Sequence, residues 1–373
     1  MAKRVCFPEQ GKVAIEDFDP GLLRPGQVRV RALASLISNG TEGILLNRRF
    51  APGSHWDGWF QKCGGYPWRP GYALVGEVVE AGADSTLTPG TRVALRGGHA
   101  SELVADAAGC HPLPNDLDPV LAAWFALAKI TFIGAQAAGA VLGEPVVVIG
   151  GGPIGQMVLR WLKAAGAQLV CIDPVEARLE HARRIGATCL AGDVATLGEA
   201  VREATGGGAA VVVDATGNPK VFAAALGMAR ARGTVVLLGD TGTPAEQRLT
   251  GDVILKGLRV VGAHDGHADG AWNERRIVNL FAGMVAAGRI DMAGLTTHVL
   301  PGRRAAEAYA AITNDPICTL GVALDWTNGG SAGGAERGGE RPPVQPDPAG
   351  AAGAPPLAGA AAQRTLGPKR SGA

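Results

Sequence analysis

Apolar and polar residues alternate in short runs through the first third of the chain. KVAIEDF, QVRVRAL, LVGEVVEAG and TRVALR set apolar side chains two apart between Gly and Pro punctuation, from Lys3 to about Pro114. A period of two turns one face of each run to a core and the other to water, which predicts a twisted, partly open β-barrel. The pattern then changes. PVLAAWFALAKITFIGAQAAGAVLG, Pro119 to Gly143, is long, apolar and helix-compatible. After it, strand-like runs alternate with helical periods: VVVIG, a helix from Ile154 to Ala165, LVCID, a helix from Val175 to Ile185, AVVVDATG, a helix over PKVFAAALGMARA, then GTVVLLG and LRVVGA. This alternation predicts an α/β fold, a Rossmann doubly wound parallel sheet. Two further helices are expected over WNERRIVNLFAGMVAAGRI and RRAAEAYAAIT, and CTLGVALDW ends as a strand that could rejoin the first part.

The chain therefore reads as a β-rich domain over 1–118 and 300–326 and a dinucleotide-binding domain over 119–299, since 373 residues exceed one ordinary core. From 327 to 373 the composition collapses to Gly, Ala, Pro and scattered Arg, and this tail is expected to be disordered. Charge adds exclusions. With 35 basic and 34 acidic residues the net charge is +1, and no stretch gathers a phosphate-binding face, so no nucleic-acid partner is expected. No apolar run of spanning length is free of charge and MAKRVCFPEQ lacks a signal-peptide pattern, so the expectation is a cytoplasmic protein without a membrane partner. Cys6, Cys63, Cys110, Cys171, Cys189 and Cys318 are scattered, which implies neither a disulfide framework nor a zinc knuckle.

The most specific motif is Gly150-Gly151-Gly152-Pro153-Ile154-Gly155, between the strand PVVVI and the helix it opens. Gly150 makes the tight turn, Gly152 admits a pyrophosphate to the backbone, and Gly155 lets helix and sheet pack closely; the phosphates sit on the helix N-terminus. Asp173 ends LVCID about 20 residues on, where a carboxylate accepts from ribose hydroxyls and repels a 2′-phosphate, so NAD is expected over NADP. Arg178 stands close enough to soften that preference. Thr216, Gly239 and Ala263, at the ends of later strands, are counted with the cofactor site. The plainer alternative is a glycine-rich turn between ordinary elements.

The order of parts, together with SNGTEG near Asn39, RPGYALVGEVVEAG near Gly71, VIGGGPIGQMVLRWLKAAGA, CIDPVEARLEHARRIGA and VVVDATG, resembles the medium-chain dehydrogenase/reductase superfamily from residue 1 to about 326. The resemblance implies a GroES-like barrel beside the Rossmann domain and a homodimer paired through the sheet edge near Leu258 to Gly262. Zinc-containing members carry Cys-Gly-Thr-Asp where this chain has Asn39-Gly40-Thr41-Glu42, and Gly-His-Glu where it has Gly71-Tyr72-Ala73. Trp124 to Ala128 offers no further ligand, and Arg96 to Ser101 runs directly into ELVADAAG without the four-cysteine lobe. Zinc needs three or four N, S or O donors, so no metal is expected. ISNGTEG resembles a branch containing bacteriochlorophyllide hydroxyethyl dehydrogenase-like proteins.

Without zinc, side chains must remove the proton and stabilise alkoxide charge. Tyr72, at the ligand-histidine position, can donate from its phenol or simply fill space. Thr41 occupies the place of a family hydroxyl residue that touches the substrate oxygen; Glu42 could act as base, bind a polar substrate, or form a salt bridge. Lys129 is the only charge between Asp118 and Glu144. An ammonium there is expensive unless paired or deprotonated, so it is either a cation beside the substrate oxygen, a partner lowering the Tyr72 pKa, or a structural ion pair. Asn39, His55, Trp56, Trp59, Trp68 and His264 are the expected substrate contacts. The segment holding His55, Trp56, Asp57, Trp59, Tyr66, Trp68 and Tyr72 suits stacking on a sugar-like ring, or is a loop pinned by its own aromatics. His264-Asp265-x-His267 reads as a polar loop over the substrate, with metal binding as the lesser alternative.

These residues point to an NAD-dependent, zinc-independent oxidoreductase that interconverts a small-molecule secondary alcohol and ketone, on a sugar or aminocyclitol ring of a specialised metabolite. Two alternatives stay open: a dehydrogenase for a hydroxyethyl side chain on a pigment-like substrate, and a non-catalytic NAD-binding protein.

Overall fold

The structure, a computed structural model, describes residues 1–268 and 270–327; the tail expected to be disordered lies beyond Thr327, outside the described residues. β1 (Ala2–Cys6) and β2 (Ala14–Phe18) pair antiparallel on their own. β3 (Gln27–Ile37) is long and central: Val28, Val30, Ala32 and Ala34 are buried on one period of two, and from Ala34 to Ile37 every residue is buried because both faces are covered. Next come α1 (Asn39–Asn47), α2 (His55–Lys62), β4 (Leu74–Ala81), β5 (Arg92–Leu95), β6 (Glu102–Asp106) and β7 (Cys110–Pro112). The runs read as strands are strands; neither helix was expected, and α2 falls in the aromatic segment read as a possible loop.

The apolar run after Pro119 is broken into α3 (Pro119–Ala122) and α4 (Phe125–Ala137). Asp118 starts α3 by accepting from the backbone N–H of Val120 and Leu121. Between the two helices Trp124 is fully buried, and its indole N–H donates to Thr296 Oγ1 at 2.9 Å. The stretch Pro119–Ala137 is apolar and long enough to cross a membrane by composition, yet two-thirds of it is buried inside the protein. Its apolar surface is taken up by neighbouring helices.

β8 (Pro145–Ile149), α5 (Pro153–Ala164), β9 (Gln168–Asp173), α6 (Glu176–Arg184), β10 (Thr188–Ala191), α7 (Gly198–Ala204), β11 (Ala209–Asp214), α8 (Val221–Met228), β12 (Ala229–Leu237), α9 (Asp252–Leu255) and β13 (Arg259–Gly262) follow. Their strands form a six-stranded parallel sheet in the order β10-β9-β8-β11-β12-β13. The helix expected over PKVFAAALGMARA stops at Met228, because Ala229 pairs with Ala209 and draws Ala-Arg-Ala into β12. α10 (Glu274–Ala286) packs on α4, which also packs on α5. β14 (Thr296–Pro301), α11 (Ala305–Asn314) and β15 (Gly321–Asp325) close the chain, and β15 lies antiparallel to β3, so the C-terminal strand returns to the first sheet. That sheet runs β14-β15-β3-β4-β5-β7, with β6 also on β3. The fold is α/β, one parallel sheet and one largely antiparallel sheet.

Candidate active site

The glycine loop leaves β8 with Gly150 at a φ of 95° and enters α5 through Gly152. A side chain at Gly155 would lie 1.7 Å from the Gly150 carbonyl oxygen, so the turn closes only with glycine there. At Gly152, by contrast, a Cβ would meet nothing within 4 Å, which leaves the backbone and the helix N-terminus open to a phosphate. These residues fit a dinucleotide. Asp173 ends β9, buried at 2 % exposure; its Oδ2 accepts from Gly151 N–H at 2.7 Å and its Oδ1 from Val175 N–H at 2.8 Å. Arg178 sits beside it, with Nη1 3.5 Å from Asp173 Oδ2 and Nη2 donating to the Pro316 carbonyl at 2.6 Å. Thr216 donates from Oγ1 to Asp214 Oδ1 at 2.6 Å, and Gly239 N–H donates to the Asp214 carbonyl at 2.8 Å. Burial raises the Asp214 pKa, and those Thr216 contacts pull it back. Ala263 is buried just past β13 and donates to the Leu237 carbonyl, so the residues expected to hold the cofactor do share the carboxyl edge of one parallel sheet.

On the antiparallel side the centre is Tyr72. Its phenol donates to Ser38 Oγ at 2.6 Å, and the nearby Thr41 hydroxyl acts on its pKa. Burial raises its pKa above the usual phenol value; the Ser38 and Thr41 contacts and the nearby Arg96 charge act the other way. The Arg96 guanidinium lies 5.4 Å from the centre of the Tyr72 ring. Gly71, at a φ of 104°, has no alternative: a Cβ there would be 2.6 Å from the His99 backbone nitrogen. Asn39 donates from Nδ2 to the Leu320 carbonyl at 2.7 Å, while its Oδ1 is buried with no donor facing it.

Three expectations need correction. Glu42 does not face outward as a base or substrate contact: at 1 % exposure it turns into the core, its Oε1 accepting from Ser38 N–H at 2.8 Å and its Oε2 from His99 Nε2 at 3.0 Å and from the Tyr309 hydroxyl. For Lys129 the observed arrangement is the structural ion pair and not a cation directed at a substrate oxygen: Nζ lies 3.1 Å from Asp265 and 3.3 Å from Glu274, and the same two carboxylates pair with Arg96 at 3.1 and 2.6 Å. The cation that acts on the Tyr72 phenol is accordingly Arg96 and not Lys129, and it works against the Glu42 carboxylate, which raises the same pKa. Nor do the expected aromatic contacts form an open ring-binding wall. Trp56 is buried, Trp59 and Trp68 meet edge to face at 5.0 Å, Trp68 stacks with Phe60 at 5.9 Å, and only Trp59, at 43 % exposure, keeps a substantial free surface.

His55 reaches across to the Rossmann side, its Nε2 2.9 Å from Asp240 Oδ2. His264 and His267 spend their Nδ1 atoms on backbone N–H groups of Gly266 and His264, which makes them caps of a short turn. Sequence reasoning missed Arg96, His99, Tyr309 and Glu274 as site residues; Asp265 was named only as part of the His264–His267 loop. The Arg96-Gly-Gly-His99 run after β5 carried the available signal, two charged or titratable residues around a glycine pair.

The donor set does not fit zinc. Asn39, Tyr72 and Ala73 stand at the expected ligand positions, and no group of three His, Cys, Asp or Glu is gathered as for a metal among the described residues.

Comparison with known proteins bears on this geometry. Residues 153–280 match the family "Zinc-binding dehydrogenase". The chain is 29 % identical over 321 residues to 2-desacetyl-2-hydroxyethyl bacteriochlorophyllide A dehydrogenase of Cereibacter sphaeroides, an alignment covering 81 % of this chain and 91 % of that one. It is 32 % identical over 196 residues to L-threonine 3-dehydrogenase of Bacillus subtilis, covering 50 % of this chain and 53 % of the other. Among solved structures, a short chain alcohol dehydrogenase of E. coli CFT073 complexed with cofactor NADH superimposes with a TM-score of 0.72 at 19 % identity, over 87 % of this chain and 99 % of that one.

Proposed function

We propose, for a chain related along most of its length to the medium-chain dehydrogenases of the zinc-binding type, that it is an NAD-dependent oxidoreductase interconverting a secondary alcohol and a ketone without a metal. The observation that carries this reading is the set around Tyr72: a phenol at the ligand-histidine position, bonded to Ser38 with Thr41 nearby, beneath the Arg96 guanidinium. Gly150, Gly152, Pro153, Ile154 and Gly155 would hold the pyrophosphate and Asp173 the adenosine ribose; the nicotinamide, when bound, accepts or gives up hydride. With its pKa raised, the Tyr72 phenol keeps its proton at neutral pH and acts as a donor to a carbonyl oxygen or a developing alkoxide. Ser38, which accepts from Tyr72, and Thr41 beside it would return that proton. Arg96 favours the phenolate left behind, and Lys129 anchors the carboxylates that hold Arg96 in place.

For the substrate, the partly exposed Trp59 beside the His55–Asp240 pair supports a polyhydroxylated ring, such as a sugar or aminocyclitol of a specialised metabolite. A second reading, a hydroxyethyl group on a flat pigment, is favoured by the alignment with the bacteriochlorophyllide dehydrogenase over 91 % of that protein's length. We also propose a homodimer. The test is a panel of alcohols, including cyclitols, sugars and hydroxyethyl porphyrins, scored for NADH appearance before and after exhaustive chelation with elemental analysis. Turnover unchanged by chelation, with no stoichiometric zinc, is expected. Activity lost on chelation and restored by zinc overturns the metal-free reading, and no turnover with any alcohol favours a non-catalytic NAD-binding protein.

A further inference from the structure

On the Rossmann unit, away from Tyr72 and the glycine loop, four cations line one surface cavity. Arg160 and Lys163 come from the C-terminal half of α5, Arg184 from the end of α6, and Arg289 from the turn after α10; the cavity measures about 430 Å³ and Asp291 is the one carboxylate lining it. Arg160 is eight residues past Gly152, so the cavity lies about 12 Å along α5 from the dinucleotide cradle at 1.5 Å per residue.

The charges are unpaired. Arg160 is 2 % exposed, and its bonds go to neutral oxygens: Nε to the Asp291 backbone carbonyl, Nη1 to the Gln156 carbonyl at 2.9 Å and to Gln156 Oε1 at 3.0 Å. Its Nη2 is buried with no partner at all. The Asp291 carboxylate accepts instead from Ala293 N–H at 2.8 Å. Arg184 donates to His181 Nδ1 and to the Ala293 carbonyl, again neutral acceptors. Among the described residues no carboxylate forms an ion pair with Arg160, Lys163, Arg184 or Arg289. Burying a guanidinium without an ion-pair partner is unfavourable, because the solvation it loses is not replaced by an opposite charge in contact. A structure that gathers three more cations around it adds repulsion. An anion relieves both.

We propose that this cavity is a binding site for a phosphate-bearing small molecule, with the phosphate held by Arg160, Lys163, Arg184 and Arg289. Three guanidinium groups and one ammonium supply N–H donors of the kind that phosphate oxygens accept from, and the volume leaves room beyond a bare ion. His181 supports the assignment from the side: burial, then Arg184 and Arg160, push its pKa down to about 4, and the Asp291 charge only partly offsets that positive field. A bound dianion reverses that field.

The test uses the full chain with saturating NADH, so that the dinucleotide cradle is filled, and follows His181 directly through its imidazole proton resonances during titration with inorganic phosphate at constant ionic strength. A parallel titration uses glucose 6-phosphate and glucose, which separates a phosphate monoester from free phosphate. Expected are a saturable upward shift of the His181 pKa by both phosphates, none by glucose, and at least tenfold weaker binding in Lys163→Gln/Arg289→Gln. These two positions sit at the surface, so the variant stays informative if Arg160→Met fails to fold. A response no larger than that of sodium chloride at equal ionic strength, or a double variant that binds phosphate as well as the parent, overturns the proposal.

Discussion

The His99 imidazole and the Glu42 carboxylate meet 3.0 Å apart inside the antiparallel domain, both almost completely buried. Tyr309 donates to the same carboxylate oxygen, and the other oxygen reaches back to Ser38 N–H at the start of α1. This arrangement fixes the helix terminus that carries Asn39 and Thr41, and it frees Ser38 Oγ to accept from Tyr72. Glu42→Gln places an amide where two donors converge, and it should cost about 2–4 kcal/mol of stability, read from urea unfolding. Tyr309→Phe should cost about 1 kcal/mol. Unchanged unfolding midpoints in both would remove the network from the account of how the site is held.

Tyr72→Phe should lower kcat by about 10²-fold, roughly 3 kcal/mol of transition-state stabilisation, with little change in melting temperature. Arg96→Met should lower kcat in the same direction. Lys129→Met should mainly lower the melting temperature, because it leaves Asp265 and Glu274 with one cation between them. A Lys129→Met enzyme that folds normally and loses kcat as severely as Tyr72→Phe would return the lysine to the reacting centre.

Stability should also depend on acid through Glu274. Burial alone would raise its pKa, but Arg96 and Lys129 outweigh burial and hold it below the ordinary value. Below that ordinary value, about 4.3, the unfolded chain binds this proton more readily than the folded one, so the contribution is present above it and lost as pH falls through the lowered value. Unfolding free energies measured between pH 6 and pH 3 should therefore fall less steeply in Glu274→Gln than in the parent.

NAD should be preferred over NADP, and Asp173→Ser should narrow the ratio of kcat/KM values by removing the repulsion of a 2′-phosphate. Because Asp173 also accepts from Gly151 N–H, the same change should weaken binding of both cofactors. A parent enzyme that uses NADP equally well would assign the adenosine end to Arg178 instead.

β13 closes one edge of the parallel sheet with Val260 partly exposed, and Ile254 and Leu255 beside it stand more than 80 % exposed. Two copies meeting at this edge would pair unfilled backbone groups and cover those side chains. Light scattering should give a dimer for the parent and a monomer for Val260→Lys/Ile254→Asp; a monomeric parent would end the idea.

Local spacing made much of this legible. The change from a period of two to alternating strands and helices set the order of the sheets, and the glycine loop and Asp173 could be read because one βαβ unit holds them within about 25 residues. The lone charge in α4 was legible for the same reason. What the lysine does was not, since its partners Asp265 and Glu274 and their second cation Arg96 come from three other segments. Glu42 and Tyr309 stand 267 positions apart, and no periodicity links them. The sequence by itself determined which elements form and where a dinucleotide could rest, because those follow from neighbours along the chain. Only the tertiary structure decided which way Glu42 turns, that Arg96 rather than Lys129 faces Tyr72, and that Arg160 is buried without a counter-charge, because each depends on groups that folding alone brings together.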